Sequence, residues 1–291
     1  MARIAQSHEV VYATMSWSRA IVVVGMHRSG TSAVARGLKA LSVYLGRNFL
    51  DAQPENPTGY WEDKGIVELN ERVLKALRLT WDGVAPIARR SFGGWRMWRL
   101  RREARRYLRR SFIEEPLWGF KDPRTLRLLP FWLRVFHESD VNDAYVLVIR
   151  NPSSVAASLF KRQGMQLETA QRLWLVYTLP YLEELASKPM VVVDYDLLMG
   201  DPRGQLERIA RKLQLTATTG DVENFTCEFL DAKLRHTVFS PEEIDATSEV
   251  GRLTRDAYTL LYEVAADRRD VDRDFWSAWG SMTQERLVER G

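Results

Sequence analysis

The chain has 291 residues, 45% of them apolar, and a formal net charge of +4 with a sequence pI near 9.2. This length supports a sizeable core and fits one large α/β domain or one domain with a cap. The mild basicity suits an anionic ligand without requiring nucleic acid. The single cysteine, Cys227, excludes an internal disulfide framework. No apolar run approaches a membrane span and the first residues lack a signal-peptide core, so we expect a cytoplasmic protein.

A strand, a glycine-bounded turn and a helix follow one another between residues 20 and 41. Residues 20–24 are apolar and mostly β-branched, which is typical of a buried strand. Gly25 and Gly30 bound the turn, and the following helix places Val34 and Leu38 on one face. Backbone N–H groups at such a helix start favour negative charge, so the stretch predicts a phosphate-binding loop. The alternative is an ordinary turn whose glycines only permit tight packing.

The loop departs from the version that NTPases use. That version requires Gly-Lys-Ser/Thr, and Thr31 stands here in the position of the lysine. Arg28 is the cation inside the loop, with His27 beside it. We therefore expect a loop that holds a phosphate but is poorly equipped for ATP or GTP with Mg²⁺.

Strands and helices alternate along the rest of the chain. Predicted strands cover residues 41–45, 117–120, 144–149 and 190–193. Predicted helices begin near residue 61 and cover residues 95–112, 125–136, 152 onward after an Asn151 cap, 166–186, and 202–213 after Asp201. Helices are expected to dominate beyond residue 220. This alternation predicts an α/β fold with a mostly parallel sheet covered by helices on both faces.

Three cationic segments are expected at one edge of that sheet. They are the loop at residues 25–32, the segment 121–124 and the pair 150–151. Ligands of such sheets bind at the carboxyl ends of the strands, where these segments lie. Their convergence indicates a ligand with several anionic groups.

At these residues the chain resembles the PAPS-dependent sulfotransferase family, where PAPS is 3′-phosphoadenosine 5′-phosphosulfate. The segment Arg28-Ser29-Gly30-Thr31-Ser32 matches the loop that grips the 5′-phosphosulfate in that family. Arg150, with Ser158 eight residues later, matches the motif that holds the 3′-phosphate. The segment 193–202 is similar to an architectural strand and helix of the family, with Asp196 in place of the usual Glu and Leu197 in place of the usual Asp.

The chain looks most like a bacterial-type branch of carbohydrate sulfotransferases, on the motifs at residues 25–32, 56–62 and 121–124. The resemblance covers about residues 20–215. It implies a three-layer P-loop-type fold and in-line sulfuryl transfer from PAPS, with 3′,5′-ADP as product and no required metal. It also implies that Arg28 stabilises the bridging oxygen of the leaving group, in a position where most members carry lysine.

A base must take the proton of the acceptor hydroxyl. The sequence offers five carboxylates: Asp51, Glu55, Glu62, Asp63 and Asp122. Glu62 is the first candidate because it is expected to open a helix after a loop that lines the acceptor cleft, although an acid favoured by the helix dipole is an equal alternative. Glu55 is second, and Asp122 is third. Lys121, beside Asp122, completes the catalytic candidates.

The segment from Arg89 to Arg110 holds ten arginines and one acid, Glu103, with aromatic and aliphatic residues interleaved. Three interpretations are open. The arginines form a solvated face, they bind an acidic acceptor or an anionic membrane surface, or they bind nucleic acid. The last is disfavoured because no nucleic-acid-binding motif accompanies the charge.

The leading hypothesis is a sulfotransferase acting from PAPS on a hydroxyl of a carbohydrate or glycolipid. The alternatives are a P-loop kinase of small molecules and a non-enzymatic protein that binds polyanions. We expect one domain over residues 1–291, with its core at 20–215, a helical insertion at about 89–112 and a helical tail at 220–291. The expected location is cytoplasmic, including the periphery of the membrane, and the oligomeric state is left open.

Overall fold

The computed structural model describes residues 18–52, 59–216, 219–229, 244 and 246–288. The strands within these ranges are β1 Arg19–Val24, β2 Leu117–Lys121, β3 Asn142–Ile149 and β4 Met190–Asp194. The helices up to β3 are α1 Thr31–Ala40, α2 Lys64–Ala76, α3 Gly94–Ser111, α4 Arg124–Arg127 and α5 Leu129–Ser139. The later helices are α6 Pro152–Gln163, α7 Leu167–Thr178, α8 Tyr195–Gly200, α9 Pro202–Leu213, α10 Thr219–Phe229, α11 Glu249–Ala265 and α12 Arg273–Val288. Short 3-10 helices cover Arg89–Phe92 and Leu182–Leu185.

The four strands form one sheet in the order β2-β1-β3-β4. All three neighbouring pairs are parallel, with Val23 beside Lys121 and Val24 beside Leu147. Parallel pairing brings the carboxyl ends of all the strands to one edge. The predicted α/β class with a parallel sheet is confirmed.

Apolar layers cover both faces of the sheet. Ala20, Val22 and Val24 of β1 belong to one core cluster, and Ile21 and Val23 belong to the other. Successive side chains of a strand point to opposite faces, so an unbroken apolar run fills both layers at once. The result is the predicted three-layer arrangement.

Side-chain caps fix several helix starts. Asn151 accepts a hydrogen bond from the Ser153 N–H, and Asp201 accepts one from the Gly204 N–H, both at 2.9 Å. Each cap is followed by proline at the first helical position, where no N–H is needed. Both predicted helix starts are therefore confirmed.

Four predicted boundaries are wrong. The strand predicted at residues 41–45 is reduced to a single bridge between Tyr44 and Trp118. The helix predicted from Trp61 begins only at Lys64, because Asp63 is its N-cap. The helix predicted over 125–136 is broken at Leu128, and the one predicted over 166–186 ends at Thr178 before a 3-10 turn. Periodicity locates helices but does not show where caps and tertiary packing end them.

The C-terminal helices share the core of the sheet. Tyr258 and Leu261 of α11 and Phe275 and Trp279 of α12 belong to the same apolar cluster as β1 and β3. Their packing is consistent with the helices predicted beyond residue 220. Among the residues that the structure describes, no helix has both the length and the apolar character that a bilayer crossing needs.

Candidate active site at the carboxyl edge of the sheet

Two glycines shape the loop between β1 and α1. Gly25 has a φ of 153°, and a side chain there would collide with the carbonyl oxygen of Val148. Gly30 has a φ of 86°, and a side chain there would collide with the ring of Tyr195. Glycine is thus required at both ends by positive φ and by close neighbours. This requirement explains the tight strand-to-helix loop, and it is shared by a phosphate-binding loop and by a turn whose glycines permit tight packing.

The start of α1 is open to an anion. Gly30 is its N-cap, and no side chain of the described residues caps it. The N–H groups of a first helical turn lack intrahelical acceptors and carry partial positive charge. The hydroxyl of Ser29 is buried and has no hydrogen-bond partner among the described residues. The start of α1 therefore offers uncapped backbone donors to an anion, and the unpartnered Ser29 hydroxyl lies next to them in the chain.

Arg28 and Ser158 lie in contact. The Arg28 backbone has a φ of 68°, in the left-handed region. Its Nε donates a hydrogen bond of 2.8 Å to the Ser158 Oγ. Arg150 Nη1 donates to the Arg28 carbonyl oxygen at 3.4 Å, and the Arg150 guanidinium lies over the Tyr195 ring at 4.6 Å. Arg28 of the loop and both residues of the second predicted motif, Arg150 and Ser158, therefore lie next to one another. In the sequence, 130 residues separate Arg28 from Ser158.

Lys121 joins the end of β2 to the loop. Its Nζ donates to the Ser32 Oγ at 3.2 Å, to the Tyr60 carbonyl at 3.1 Å and to Glu62 Oε1 at 2.5 Å. The side chain is buried, with 3% of its surface exposed. A buried ammonium needs such partners because the loss of water around a charge is costly. Lys121 is thus held against the loop at a fixed position.

Glu62 is the buried partner of Lys121. Burial raises the pKa of the Glu62 carboxyl, and the neighbouring Lys121 ammonium opposes that rise. Arg124 Nη1 lies 3.7 Å from Glu62 Oε2. The prediction that Glu62 opens a helix is wrong, because Asp63 takes the capping position, where its Oδ1 accepts from the Gly65 and Ile66 N–H groups.

Asp122 is fully buried and holds other groups in place. Its Oδ1 accepts from the Arg124 backbone N–H and side chain, both at 2.9 Å, and its Oδ2 accepts from Asn70 at 2.9 Å. Trp132 in turn donates to Asn70 Oδ1 at 2.7 Å. Asp122 therefore orients Arg124. The sequence placed Arg124 in the 121–124 motif but did not identify it as a separate site residue.

The other candidate carboxylates lie elsewhere. Asp51 forms an exposed ion pair with Lys64 at 3.4 Å. Asp63 caps α2 and accepts a hydrogen bond of 2.5 Å from the Tyr107 hydroxyl. Glu55 lies outside the described residues. Among the described residues, Glu62 and Asp122 are the two of the five candidate carboxylates that contact Lys121 or Arg124.

His27 is packed inside the loop. Its ring centroid lies 4.6 Å from that of Trp81 and 5.8 Å from that of Tyr177, and its Nε2 has no hydrogen-bond partner among the described residues. Desolvation of the ring holds the pKa of His27 well below its usual value. Four positive charges lower it further: Arg124, Lys121, Arg162 and Arg28. The imidazole is therefore neutral at physiological pH, and cations of the loop and of the 121–124 segment lie near it.

Tyr195, Tyr60 and Asn70 are site residues that sequence reasoning missed. Tyr195 was assigned only an architectural role, yet it supports Arg150 and closes on Gly30. Tyr60 contributes its carbonyl oxygen, which the residue type does not reveal. Asn70 lies on a helix face that reads as apolar. A buried polar residue within an apolar stripe is the signal that points to Asn70.

A sequence model described as the sulfotransferase family matches residues 20–219, more than half of the chain. No curated protein sequence matches significantly. Among solved structures, the chain is similar to a sulfotransferase from Mycobacterium tuberculosis H37Rv, at 18% identity over 73% of this chain and 72% of that one, with a TM-score of 0.46. It is also similar to the sulfotransferase domain of the Synechococcus PCC 7002 olefin synthase, at 15% identity over 83% and 95%, with a TM-score of 0.46.

A third similar structure is retinol dehydratase with androsterone and the inactive cofactor PAP, at 14% identity over 92% of this chain and 80% of that one, with a TM-score of 0.35. The family assignment depends on the sequence match, which spans the loop, the Lys121 segment and the Arg150 motif. The chain belongs to the sulfotransferase family and is an enzyme of sulfuryl transfer.

Proposed function

We propose that the protein transfers the sulfuryl group of PAPS to a hydroxyl of a carbohydrate or glycolipid acceptor. One observation carries the proposal: Arg28 of the loop contacts Ser158, and Arg150 contacts the Arg28 carbonyl. Cations from two separate segments that meet in this way suit a ligand with more than one anionic group. An adenosine nucleotide with a 5′-phosphosulfate and a 3′-phosphate has that chemistry.

The residues present fit such a nucleotide. Arg28, Ser29, Gly30, Thr31 and Ser32 would hold the 5′-phosphosulfate through side chains and the N–H groups at the start of α1. The unpartnered Ser29 hydroxyl supports this assignment. In the same way, Arg150 and Ser158 would hold the 3′-phosphate. Arginine is suited to phosphate because its planar fork donates two parallel hydrogen bonds.

The residues of the chain also suit the chemistry. When bound, the nucleotide supplies a sulfuryl group; the acceptor oxygen bonds to sulfur as the bond from sulfur to the phosphate oxygen breaks. Arg28 and Lys121 would stabilise the charge that develops on the leaving oxygen, in a site where buried charges act strongly. We propose that these cations serve where NTPases use Mg²⁺, so that the reaction requires no metal.

Glu62 remains our first candidate for the base. Burial raises its pKa towards the operating pH, as a general base requires, and Lys121 links it to Ser32 of the loop. Asp122 is less suited because both of its oxygens accept hydrogen bonds from Arg124 and Asn70. Glu55 stays a second candidate on the sequence alone.

The acceptor class is proposed from the resemblance to the carbohydrate-sulfating branch. The lone Cys227 suits a reducing compartment, which supports a cytoplasmic location. We also propose that the chain forms one domain, which is supported by the shared core of α11, α12 and the sheet.

The direct test supplies PAPS with radiolabelled sulfate, a chelator, and a panel of soluble oligosaccharides and glycolipids. We expect label on an acceptor, and loss of that transfer in Arg28→Ala but not in the matched control Arg203→Ala, which removes an exposed arginine from α9. Phosphate transfer from ATP that depends on Mg²⁺, without sulfation, would instead identify a kinase. Polyanion binding that Arg28→Ala leaves intact, with no transfer to any acceptor, would identify a non-enzymatic binder.

A further inference from the structure

Helix α3 presents a face of almost pure positive charge to solvent. At 100° per residue, its buried side chains Met97, Leu100, Ala104 and Leu108 lie on one side. The opposite side, an arc of roughly 120°, carries two tryptophans and five arginines and no other residue type. The tryptophans are Trp95 and Trp98, and we name the five arginines the arginine arc: Arg99, Arg102, Arg106, Arg109 and Arg110.

The arginine arc has no acidic partner within the described part of the chain. All five side chains are exposed, and none forms an ion pair with a described carboxylate. The arginines of α3 that do form pairs, Arg101 and Arg105, contact Glu138 on the flank of the helix. An uncompensated row of like charges costs self-repulsion, so the arc is better explained by an external anionic surface than by stability.

The two tryptophans add an apolar component at the first turn. Trp95 is 65% exposed and Trp98 is 52% exposed, and both are among the exposed large apolar side chains of the described residues. Arg99 lies over the Trp95 ring at 5.8 Å, and Arg102 lies over the Trp98 ring at 5.7 Å. Indole rings flanked by cations are typical of helices that lie at the boundary between water and lipid headgroups.

The shape of this face of α3 favours a flat layer of anionic groups over a single polyanionic polymer as the partner. The arc lies on the convex side of one helix and extends over about 22 Å from Trp95 to Arg110. The adjoining cleft between α2 and α3, of about 660 Å³, is lined by three arginines of the arc together with Glu68 and Glu103, which would repel a polyanion bound there. A convex row of arginines with two tryptophans fits a flat layer of phosphate headgroups.

We propose that α3 docks this protein on an anionic lipid bilayer through the arginine arc, Trp95 and Trp98. The arginines contact the lipid phosphates, and the indole rings lie at the level of the headgroups. This inference is independent of the proposed transfer reaction, because none of these residues belongs to the nucleotide site.

The test measures co-sedimentation of the full chain with vesicles of phosphatidylcholine containing about 30 mol% phosphatidylglycerol. We expect binding at about 0.05 M NaCl, release at about 0.5 M, and no binding to pure phosphatidylcholine. Each arginine near an anionic surface contributes about a fivefold change, so the triple variant Arg99→Gln, Arg102→Gln, Arg106→Gln should bind about 100-fold more weakly.

A matched control removes the same charge from other exposed faces: Arg203→Gln, Arg211→Gln and Arg252→Gln together. We expect this control to bind within about twofold of the natural chain. Lipids brominated on the acyl chain should quench the natural protein, and Trp95→Ala with Trp98→Ala should remove that quenching. Sulfuryl transfer to a soluble acceptor, where it occurs, should be unchanged in all these variants.

Three results would overturn the proposal. An equal loss of vesicle binding in the arc variant and in its control would mean that binding depends only on the net charge of the protein. Absence of binding to the anionic vesicles at low salt would exclude a lipid partner. Tighter binding of an oligonucleotide or of heparin than of the vesicles, at the same salt and lost in the arc variant, would identify a polyanionic chain as the partner.

Discussion

The cations at the sheet edge and the cations of α3 are the same kinds of side chain in opposite surroundings. At the edge, Lys121 and Arg150 are buried, and each has defined acceptors or a ring against it. On α3 the arginine arc projects into water without an ion pair to a described carboxylate. Buried cations keep fixed positions and interact strongly with a ligand, whereas exposed ones act at a distance and are screened by salt.

This contrast separates two kinds of function within one chain. A fixed cation contributes to the recognition of a particular phosphate and to charge stabilisation at a particular atom. An exposed row contributes to the attraction of any anionic surface. Substitutions at the edge should therefore change chemistry or stability, and substitutions on the arc should change only association.

The largest expected effect is that of Arg28→Ala on turnover. Loss of a preorganised cation at the leaving oxygen should reduce kcat by about 10²- to 10³-fold. Arg28→Lys keeps the charge but loses the guanidinium that contacts Ser158. Its kcat should therefore lie between that of the natural chain and that of Arg28→Ala. Steady-state kinetics with PAPS, with Arg203→Ala as the exposed control, measures this. A kcat of Arg28→Ala within twofold of the natural chain would remove Arg28 from the chemistry.

The next largest effect is on stability at the Glu62–Lys121 pair. Glu62→Gln leaves a buried ammonium without its carboxylate and should lower the free energy of unfolding by about 3 kcal/mol in urea titrations. Replacement of both partners, Glu62→Leu with Lys121→Met, should recover much of that loss because no charge is left uncompensated. If the double variant is no more stable than the single one, Glu62 does not serve to neutralise Lys121.

A smaller effect should follow from His27 and pH. Its pKa is lowered in the folded chain relative to about 6.5 when unfolded, so the unfolded state binds the proton first as pH falls. Stability should therefore be complete above about pH 6.5 and decline below it, by at most about 1.4 kcal/mol per pH unit. His27→Gln should remove this contribution to the slope, whereas His137→Gln, at an exposed position of α5, should keep it. Equal slopes for the natural chain and His27→Gln would contradict the assignment.

The smallest effect is expected on the arginine arc. Because its side chains project into water, the triple variant Arg99→Gln, Arg102→Gln, Arg106→Gln should change the free energy of unfolding by no more than about 0.5 kcal/mol. Thermal unfolding of this variant and of Glu62→Gln, measured side by side, compares the loss of stability at the arc with that at the sheet edge. A loss as large as that of Glu62→Gln would show that the arc stabilises the fold.

Much of the edge was predictable because it depends on local patterns. The apolar run of β1, the glycines of the loop and the Asn151 cap each have a short-range signal, and the parallel-sheet rule then brings the distant segments together. Arg28, Arg150 and Ser158 meet as that rule requires.

The contacts that depend on tertiary packing were not predictable. No spacing shows that the Tyr60 carbonyl accepts from Lys121, or that Asn70 bridges Asp122 and Trp132. The start of α2 was misplaced because Glu62 and Asp63 are adjacent acids, and only the fold decides which one caps the helix and which one is buried against Lys121.

The central claim is that one nucleotide is held at both its 5′ and 3′ ends, and calorimetric titration tests it most directly. The natural chain and Arg150→Ala would each be titrated with 3′,5′-ADP and with 5′-AMP, which lacks only the 3′-phosphate. We predict that the natural chain binds 3′,5′-ADP at least about tenfold more tightly, and that Arg150→Ala abolishes this preference. Equal affinity of the natural chain for the two nucleotides, or a preference that survives in Arg150→Ala, would contradict the account.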